Sequence, residues 1–288
     1  MGRAMAVGKR RQLLVDGDTV AFRISSALQH TMEDLETGEV RHFAMRGEHE
    51  RAVDRMLRNL MERLEGDHMR VALSCRGEAN WRLKIDPQYK SNRAGSVRPL
   101  LLEGMKDYLR VKYGAESYPH LEADDVLGLW MTDPEREFET VMVGRDKDFL
   151  TVPGLHFQIG DEERDTIFRV QPEAAERWHM VQTLSGDAVD GYPGCPGIGK
   201  KRAVAAIENP RKLGASLGTV TRGPRKGETV TRWVDAGAGT LWEAVVSQYK
   251  KAGLGEAEAM KTARLARILQ HGEYDPGEYA VRLWEPPL

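Results

Sequence analysis

The 288-residue chain is 41% hydrophobic and 30% charged, with a formal net charge of −2 and two cysteines. No apolar run approaches the roughly 18 residues that a membrane span needs. Cys75 and Cys195 make neither a disulfide framework nor a zinc site, so the composition points to a reducing cytoplasm and away from membrane and disulfide-stapled secreted classes.

The start is basic but has no long apolar segment, so it does not read as a secretory signal. Residues 11–15 (RQLLV) are a short apolar run ending in Asp16-Gly17-Asp18, which predicts a buried strand followed by a loop. Residues 19–30 predict a helix. Residues 48–64 place Ala52, Val53, Met56, Leu57, Leu60, Met61 and Leu64 on one face, the pattern of an amphipathic helix. A second strand is expected over 69–73, and the polar, basic stretch 76–98 reads as a loop or mobile segment. Helices follow over 100–113, stopped by Gly114, and over 121–131. Strands are expected over 140–143 and 155–159. This alternation predicts an α/β domain with a mostly parallel sheet, whose ligands belong beyond the carboxyl ends of the strands.

After about residue 175 the strand signals thin out. Helices are expected over 174–184, 200–207, 241–252 and 256–269. The Gly-, Thr-, Arg- and Lys-rich stretch 210–240 reads either as a small hairpin (218–222 with 228–234) or as a loop. The expected division is an α/β domain over 1–175 and a helical region over 176–288. Charge is uneven along the chain: residues 196–288 hold 15 Lys/Arg against 10 Asp/Glu, leaving 27 against 34 for residues 1–195. An acidic front and a basic back suit a metal basin beside a surface that holds a polyanion, although five charges over this length is also ordinary scatter.

Nine carboxylates fall into four clusters: Asp16 with Asp18; Glu122, Asp124 and Asp125; Asp146 with Asp148; Asp187 with Asp190. Gathered carboxylates repel and raise each other's pKa unless a cation neutralises them. Mg²⁺ and Mn²⁺ prefer oxygen ligands and suit a carboxylate basin that works on phosphates. Taken singly, each cluster has a plainer reading. Glu122 and Asp125 share a helix face in a first turn, where an acidic cap is also at home. Asp146 and Asp148 follow an apolar strand and could be a solvated turn. Asp187 and Asp190 lie between Gly186 and Gly191, where a tight acidic turn fits as well.

Two further motifs point to phosphate. Gly194-Cys195-Pro196-Gly197-Ile198-Gly199 feeds a helix that opens with Lys200, Lys201 and Arg202, presenting N–H groups and positive charge. The spacing is not a Walker loop and no strand precedes it, so a duplex backbone is the better ligand. Tyr89, Lys90 and Arg93 lie in the basic stretch, where the two cations could clamp a scissile phosphate. The eight histidines form no metal-binding pair motif.

Together these residues resemble the 5′ nuclease, flap-endonuclease-like superfamily, and most of all the short 5′→3′ exonucleases of tailed phages. LLVDGDTVAF, NWRLKIDPQYKSNR, LEADDVLGLW, VGRDKDFLTVPG and WHMVQTLSGDAVDGYPGCPGIGKKRA carry the resemblance in order, and TRWV, LWEAV and ARILQHGEYD match the phage subgroup. The resemblance implies a PIN-like α/β domain with a helical arch, followed by a helix–three-turn–helix module. It implies a metal-dependent 5′→3′ exonuclease on double-stranded DNA with 5′ ends or flaps, and activity on RNA–DNA hybrids. Two or more Mg²⁺ or Mn²⁺ ions are implied, one group held by Asp16, Glu122, Asp124 and Asp125, the other by Asp146, Asp148, Asp187 and Asp190. Lys90 and Arg93 match the arch residues that engage the phosphate. Gly197, Ile198 and Gly199 match the turn that grips the duplex, often with K⁺. A monomer in the host cytoplasm is expected. One departure stands out: where the family carries an acidic residue after the second strand, this chain has Cys75, with Glu78 as the nearest substitute. A branched-DNA-binding protein with weakened catalysis and a PIN-type endoribonuclease are the rival readings.

Overall fold

In the computed structural model, residues 10–33, 36–76, 80–93, 95, 97–160 and 166–287 are described. The chain divides into two compact units. The first comprises Met1–Trp81, Gly95–Pro172 and Ile268–Arg282; the second comprises Arg82–Ala94, Glu173–Arg267 and Leu283–Leu288.

The first unit is built on β1 (Arg11–Asp16), α1 (Gly17–Ala27), a hairpin of β2 (His30–Glu33) and β3 (Val40–Phe43), α2 (Arg46–Arg63), β4 (His68–Ala72), α3 (Leu102–Tyr113), α4 (Ala123–Thr132), β5 (Glu139–Gly144), β6 (Gly154–Gln158) and β7 (Phe168–Val170). The sheet order is β4-β1-β5-β6-β7, with only β7 antiparallel. Its mixed α/β, mostly parallel character is the one the alternation predicts. Alternate residues Leu13, Val15, Val141 and Val143 face Val20 of α1, Val53 and Leu57 of α2, and Met105 and Leu109 of α3 in one core. α4 lies against β1, β4 and β5. The apolar stripe read from 48–64 is therefore the buried face of α2. Gly114 stops α3 in the left-handed region, at φ 62°. The β2–β3 hairpin is exposed along both strands. It has no apolar alternation against a core, and no sequence pattern signalled it.

The second unit holds α5 (Pro172–Ser185), a short ribbon of β8 (Gly186–Asp187) and β9 (Tyr192–Pro193), α6 (Lys200–Glu208), a long hairpin of β10 (Arg211–Thr219) and β11 (Thr229–Ala238), α7 (Leu241–Lys251) and α8 (Glu256–Ala266). The chain then returns to the first unit with β12 (Tyr274–Asp275) and β13 (Ala280–Val281). Met180, Leu184, Ala203, Ile207, Val245 and Tyr249 form the second core. The hairpin that the sequence suggests over 218–222 and 228–234 starts seven residues earlier and ends four residues later. The described part of the basic stretch 76–98 is not loose. It carries two 3-10 turns, Trp81–Lys84 and Ser91–Arg93, and Arg82 is only 2% exposed. The Arg82 guanidinium donates to the carbonyls of Leu265 (3.0 Å) and Arg267 (2.5 Å), which lie some 180 residues later. No described helix is long and apolar enough to cross a membrane.

Candidate active site

Asp16 ends β1 near the centre of the sheet, at the carboxyl edge where the fold class puts ligands. Its position is tight on every side. A Cβ on Gly17 would lie 2.7 Å from Val71 Cγ1 and 2.8 Å from the Ala72 carbonyl, so β4 demands glycine directly after Asp16. A Cβ on Gly144, at the end of β5, would lie 2.3 Å from Phe149 Cε2 and 3.3 Å from Asp16 Cβ. Only glycine there lets the chain after β5 approach Asp16.

The electrostatics of this edge are strained. Asp16 caps α1: its Oδ1 accepts from the Thr19 N–H at 3.0 Å and its Oδ2 from the Thr19 hydroxyl at 2.5 Å. These bonds favour the charged form, yet burial first, then the charge of Asp18, with a smaller contribution from Asp146, push the Asp16 carboxyl up to about 6. Three of the nine carboxylates, from two of the four clusters, are thus felt together at one point. Asp18 has the one described cation at this spot, Lys106 Nζ 2.9 Å from Oδ1, close enough for an ion pair but without hydrogen-bonding geometry. Asp18 Oδ2 also accepts from the Ser74 N–H at 3.3 Å. Asp18 therefore reaches the loop after β4, beside Cys75. Glu78 lies outside the described residues. The sequence reading leaves Asp18 out of both implied ligand groups and gives no role to Lys106 or Ser74; a lysine in the middle of a helix carries no local signal of an ion pair this distant in sequence.

The other carboxylates of this unit are engaged differently. Asp146 is exposed and caps the turn Lys147–Thr151, accepting from the Asp148 N–H at 2.8 Å. Glu122 and Asp125 form a capping box at α4. Asp125 is fully buried; its Oδ2 takes the Trp81 indole N–H at 2.9 Å and its Oδ1 the Leu269 N–H at 3.2 Å. Asp124 accepts from the Asp125 N–H at 2.7 Å. Among the described residues no group of three or more His, Cys, Asp or Glu side chains stands arranged to hold a metal ion. The physical reason is visible in the contacts: each carboxylate leans on the nearest N–H, O–H or lysine. A hard divalent ion still suits the Asp16 edge, because the donors are all oxygens and burial leaves their repulsion unscreened.

In the second unit, Asp187 is buried and its Oδ1 accepts from the Val189 and Asp190 N–H groups at 2.7 and 3.2 Å. Asp190 accepts from Arg93 Nη2 at 2.6 Å and from the Tyr89 hydroxyl at 3.0 Å, with Lys90 Nζ 3.6 Å away. Lys90 takes the left-handed conformation, φ 57°, and its N–H donates to the Asp190 carbonyl at 2.8 Å. The sequence read Tyr89, Lys90 and Arg93 and the Asp190 turn as separate signals; they form one cluster.

The glycine-rich turn follows. Gly186 and Gly194 cross so closely that a Cβ on either would fall 2.2–2.3 Å from the other's nitrogen. Gly197 takes φ 77° and its carbonyl accepts from Arg202 at 3.0 Å. Gly199 caps α6, Ile198 is half-buried against the second core, Lys200 Nζ sits 4.8 Å over the Trp178 ring, and Lys201 is exposed. Separately, a cavity of about 580 Å³ lined by residues including Arg23, Arg55, Arg63, Met56 and Phe157 has none of the nine carboxylates in its wall.

The family model described as 5′-3′ exonuclease, N-terminal resolvase-like domain, matches residues 11–178. The exodeoxyribonuclease of Enterobacteria phage T3 is 33% identical over 227 residues, covering 75% of this chain and 73% of that protein. The exonuclease of Escherichia phage T7 is 32% identical over 227 residues, covering 75% and 74%. The T5 D15 protein co-crystallized with metal ions shares the fold over 90% of this chain and 90% of its own, with TM-score 0.56 and 16% identity. With a model matched over more than half its length and relatives this similar over most of theirs, the chain belongs to the 5′-3′ exonuclease family.

Proposed function

We propose that the protein is a divalent-metal-dependent 5′→3′ exonuclease of double-stranded DNA that also cuts 5′ flaps and RNA in RNA–DNA hybrids. The single observation that carries this reading is the buried Asp16, its carboxyl pushed up by burial and by Asp18 and Asp146, at the carboxyl edge of the sheet in a member of this family. The names of the phage relatives, exodeoxyribonuclease and exonuclease, and of a solved relative carrying metal ions, agree with it.

Asp16 and Asp146, with Glu122, Asp124, Asp125 and Asp148, are the first unit's candidate ligands for Mg²⁺ or Mn²⁺. Asp187 and Asp190 enter the ligand set through the family resemblance. A divalent cation supplies positive charge for the scissile phosphate and makes water a better nucleophile near neutral pH. The chain's own residues do the rest. Asp16 would hold the cation, its carboxylate oriented by the two bonds from Thr19. Arg93 and Lys90 trade Asp190 for the phosphate and bear its growing charge. The turn at Gly197, Ile198 and Gly199, with Lys200, Lys201 and Arg202, holds the duplex backbone without reading sequence, and a K⁺ ion at the turn would compete with Arg202 for the Gly197 carbonyl. Residues 1–175 carry the catalysis and 176–288 the duplex grip in this proposal.

The test uses 5′-labelled duplex DNA with Mg²⁺, repeated in EDTA. Cleavage that stops in EDTA and returns with Mg²⁺ supports the reading; cleavage that persists in EDTA overturns it. Asp146→Asn should lower the rate by about 10³-fold while DNA binding stays within a few-fold. Binding of branched DNA with no turnover would favour the weakened-catalysis rival, which the Cys75 departure motivates.

A further inference from the structure

The β10–β11 hairpin is not used by the proposed chemistry, yet it is a large part of the second unit. Its strands run over Arg211–Thr219 and Thr229–Ala238 in continuous antiparallel register from Leu213↔Asp235 to Thr219↔Thr229. At about 3.4 Å per residue such a ribbon extends roughly 30 Å. A two-stranded ribbon of this length is marginal in water by itself. Here its base is anchored at both ends. β10 starts directly after α6 and packs against α7. β11 leads into Thr240, which caps α7 in a reciprocal box with Glu243, while Lys212 Nζ reaches Glu243 at 3.3 Å. The ribbon is thus fixed to the helix that opens with Lys200, Lys201 and Arg202.

The far part of the ribbon is open to solvent. Leu217 is 77% exposed, and residues 221–229 of the tip are exposed throughout. From 211 to 240 the chain holds Arg211, Lys212, Arg222, Arg225, Lys226 and Arg232 against Glu228 and Asp235. The two acids are already answered, Asp235 by Arg211 at 2.9 Å and Glu228 by Arg225 at 2.6 Å. Arg222 and Lys226 meet no acidic partner among the described residues. On one face of the ribbon the β10 side is small: Gly214, Ser216 and Gly218 lie opposite Val234, Arg232 and Val230. A Cβ on Gly218 would lie 3.0 Å from Arg232 Nε, so the glycine lets that guanidinium lie flat across the strand.

An exposed, anchored, small-residue ribbon with uncompensated cations at its tip fits a polyanion, and the major groove of duplex DNA admits a two-stranded ribbon. We propose that the β10–β11 hairpin is a second duplex-binding arm, in which Arg222 and Lys226 contact backbone phosphates beyond those held by the turn at 197–199. This inference rests on the DNA reading above and adds a surface to it.

The test is equilibrium binding of an end-labelled duplex of about 30 bp in EDTA, across a range of salt concentrations. Four proteins are compared: wild type, Arg222→Ala/Lys226→Ala, the charge-conserving Arg222→Lys/Lys226→Arg, and Lys201→Ala as a control in the glycine-rich turn. Loss of two phosphate contacts should lower the slope of log K against log salt by about 2 and weaken binding roughly tenfold near 0.1 M salt. The charge-conserving variant should bind like wild type, which separates charge from folding. If the double alanine variant matches wild type in slope and affinity while Lys201→Ala binds more weakly, the arm is overturned and the DNA reading stands. If wild type itself binds no duplex at any salt, the DNA reading and the arm fall together.

Discussion

The two acidic regions of this protein use one residue type to opposite electrostatic ends. At the carboxyl edge of the first unit's sheet, Asp16 is buried beside Asp18 and feels Asp146, and burial outweighs the two bonds from Thr19, so its carboxyl rises to about 6. In the second unit, Asp190 is met by Arg93, Lys90 and Tyr89, and Asp187 by two backbone N–H groups. At the first, burial and neighbouring carboxylates push Asp16 toward the neutral form; at the second, cationic side chains meet Asp190 and backbone N–H groups meet Asp187. The lesson is that a count of carboxylates does not locate a cation site. The balance between carboxylates and the donors around them does, and by that measure the Asp16 edge is where an added cation gains most.

The largest expected effect that could break this contrast comes from Asp16→Asn. It should reduce nuclease turnover by about 10³-fold or more, while leaving the metal-free protein more stable at pH 7 by about 1–3 kcal/mol, because a repelled buried charge is gone. The sign follows from the raised carboxyl. The folded protein holds this proton more tightly than the unfolded chain, so the contribution is fully present below pH 3.8 and is lost as pH rises through about 6. Thermal melts at pH 3.5 and pH 7 should therefore diverge between wild type and variant only at the higher pH. A variant less stable than wild type at pH 7 would show that the Thr19 bonds dominate instead. Next, Asp190→Asn should cost about 1–2 kcal/mol in urea unfolding, because it removes the charge that Arg93 and Lys90 face and weakens the bond from Tyr89. An unchanged midpoint would mean that the second cluster is a solvated contact. The smallest effect sharpens the comparison: Cys75→Asp adds a carboxylate beside Asp18 and Ser74, and should tighten Mn²⁺ binding about tenfold in titration calorimetry. Unchanged affinity would place residue 75 outside the cation's reach.

Much of the first unit was legible because its signals are local. An apolar strand ending in Asp16-Gly17 is readable, since the glycine is forced by the neighbouring strand, and the stripe of α2 follows directly from helical periodicity. The glycine-rich turn was readable for the same reason, as the positive φ of Gly197 needs a residue without a side chain. What stayed hidden is tertiary. Arg82 reads as a solvated loop residue, but its guanidinium is buried against carbonyls at Leu265 and Arg267. Asp125 reads as one more acid of a basin, but both its oxygens are engaged by Trp81 and Leu269. The long hairpin was cut short because its glycines and threonines break the alternation that marks a strand. Of the candidate site, the place of Asp16 at the end of a strand could be anticipated; the pairing of the Lys90 region with Asp190, the contacts of Asp18 and the presence of Lys106 could not.

The Lys106–Asp18 ion pair gives this edge a resident placeholder. An ammonium on a flexible stem offsets part of the carboxylate charge at this edge without any bound ion. If a divalent ion binds at this edge, as proposed, it would have to compete with the lysine for Asp18. Shortening or neutralising Lys106 would therefore ease that competition and leave the ion-free protein more fragile, two changes in opposite directions from one side chain.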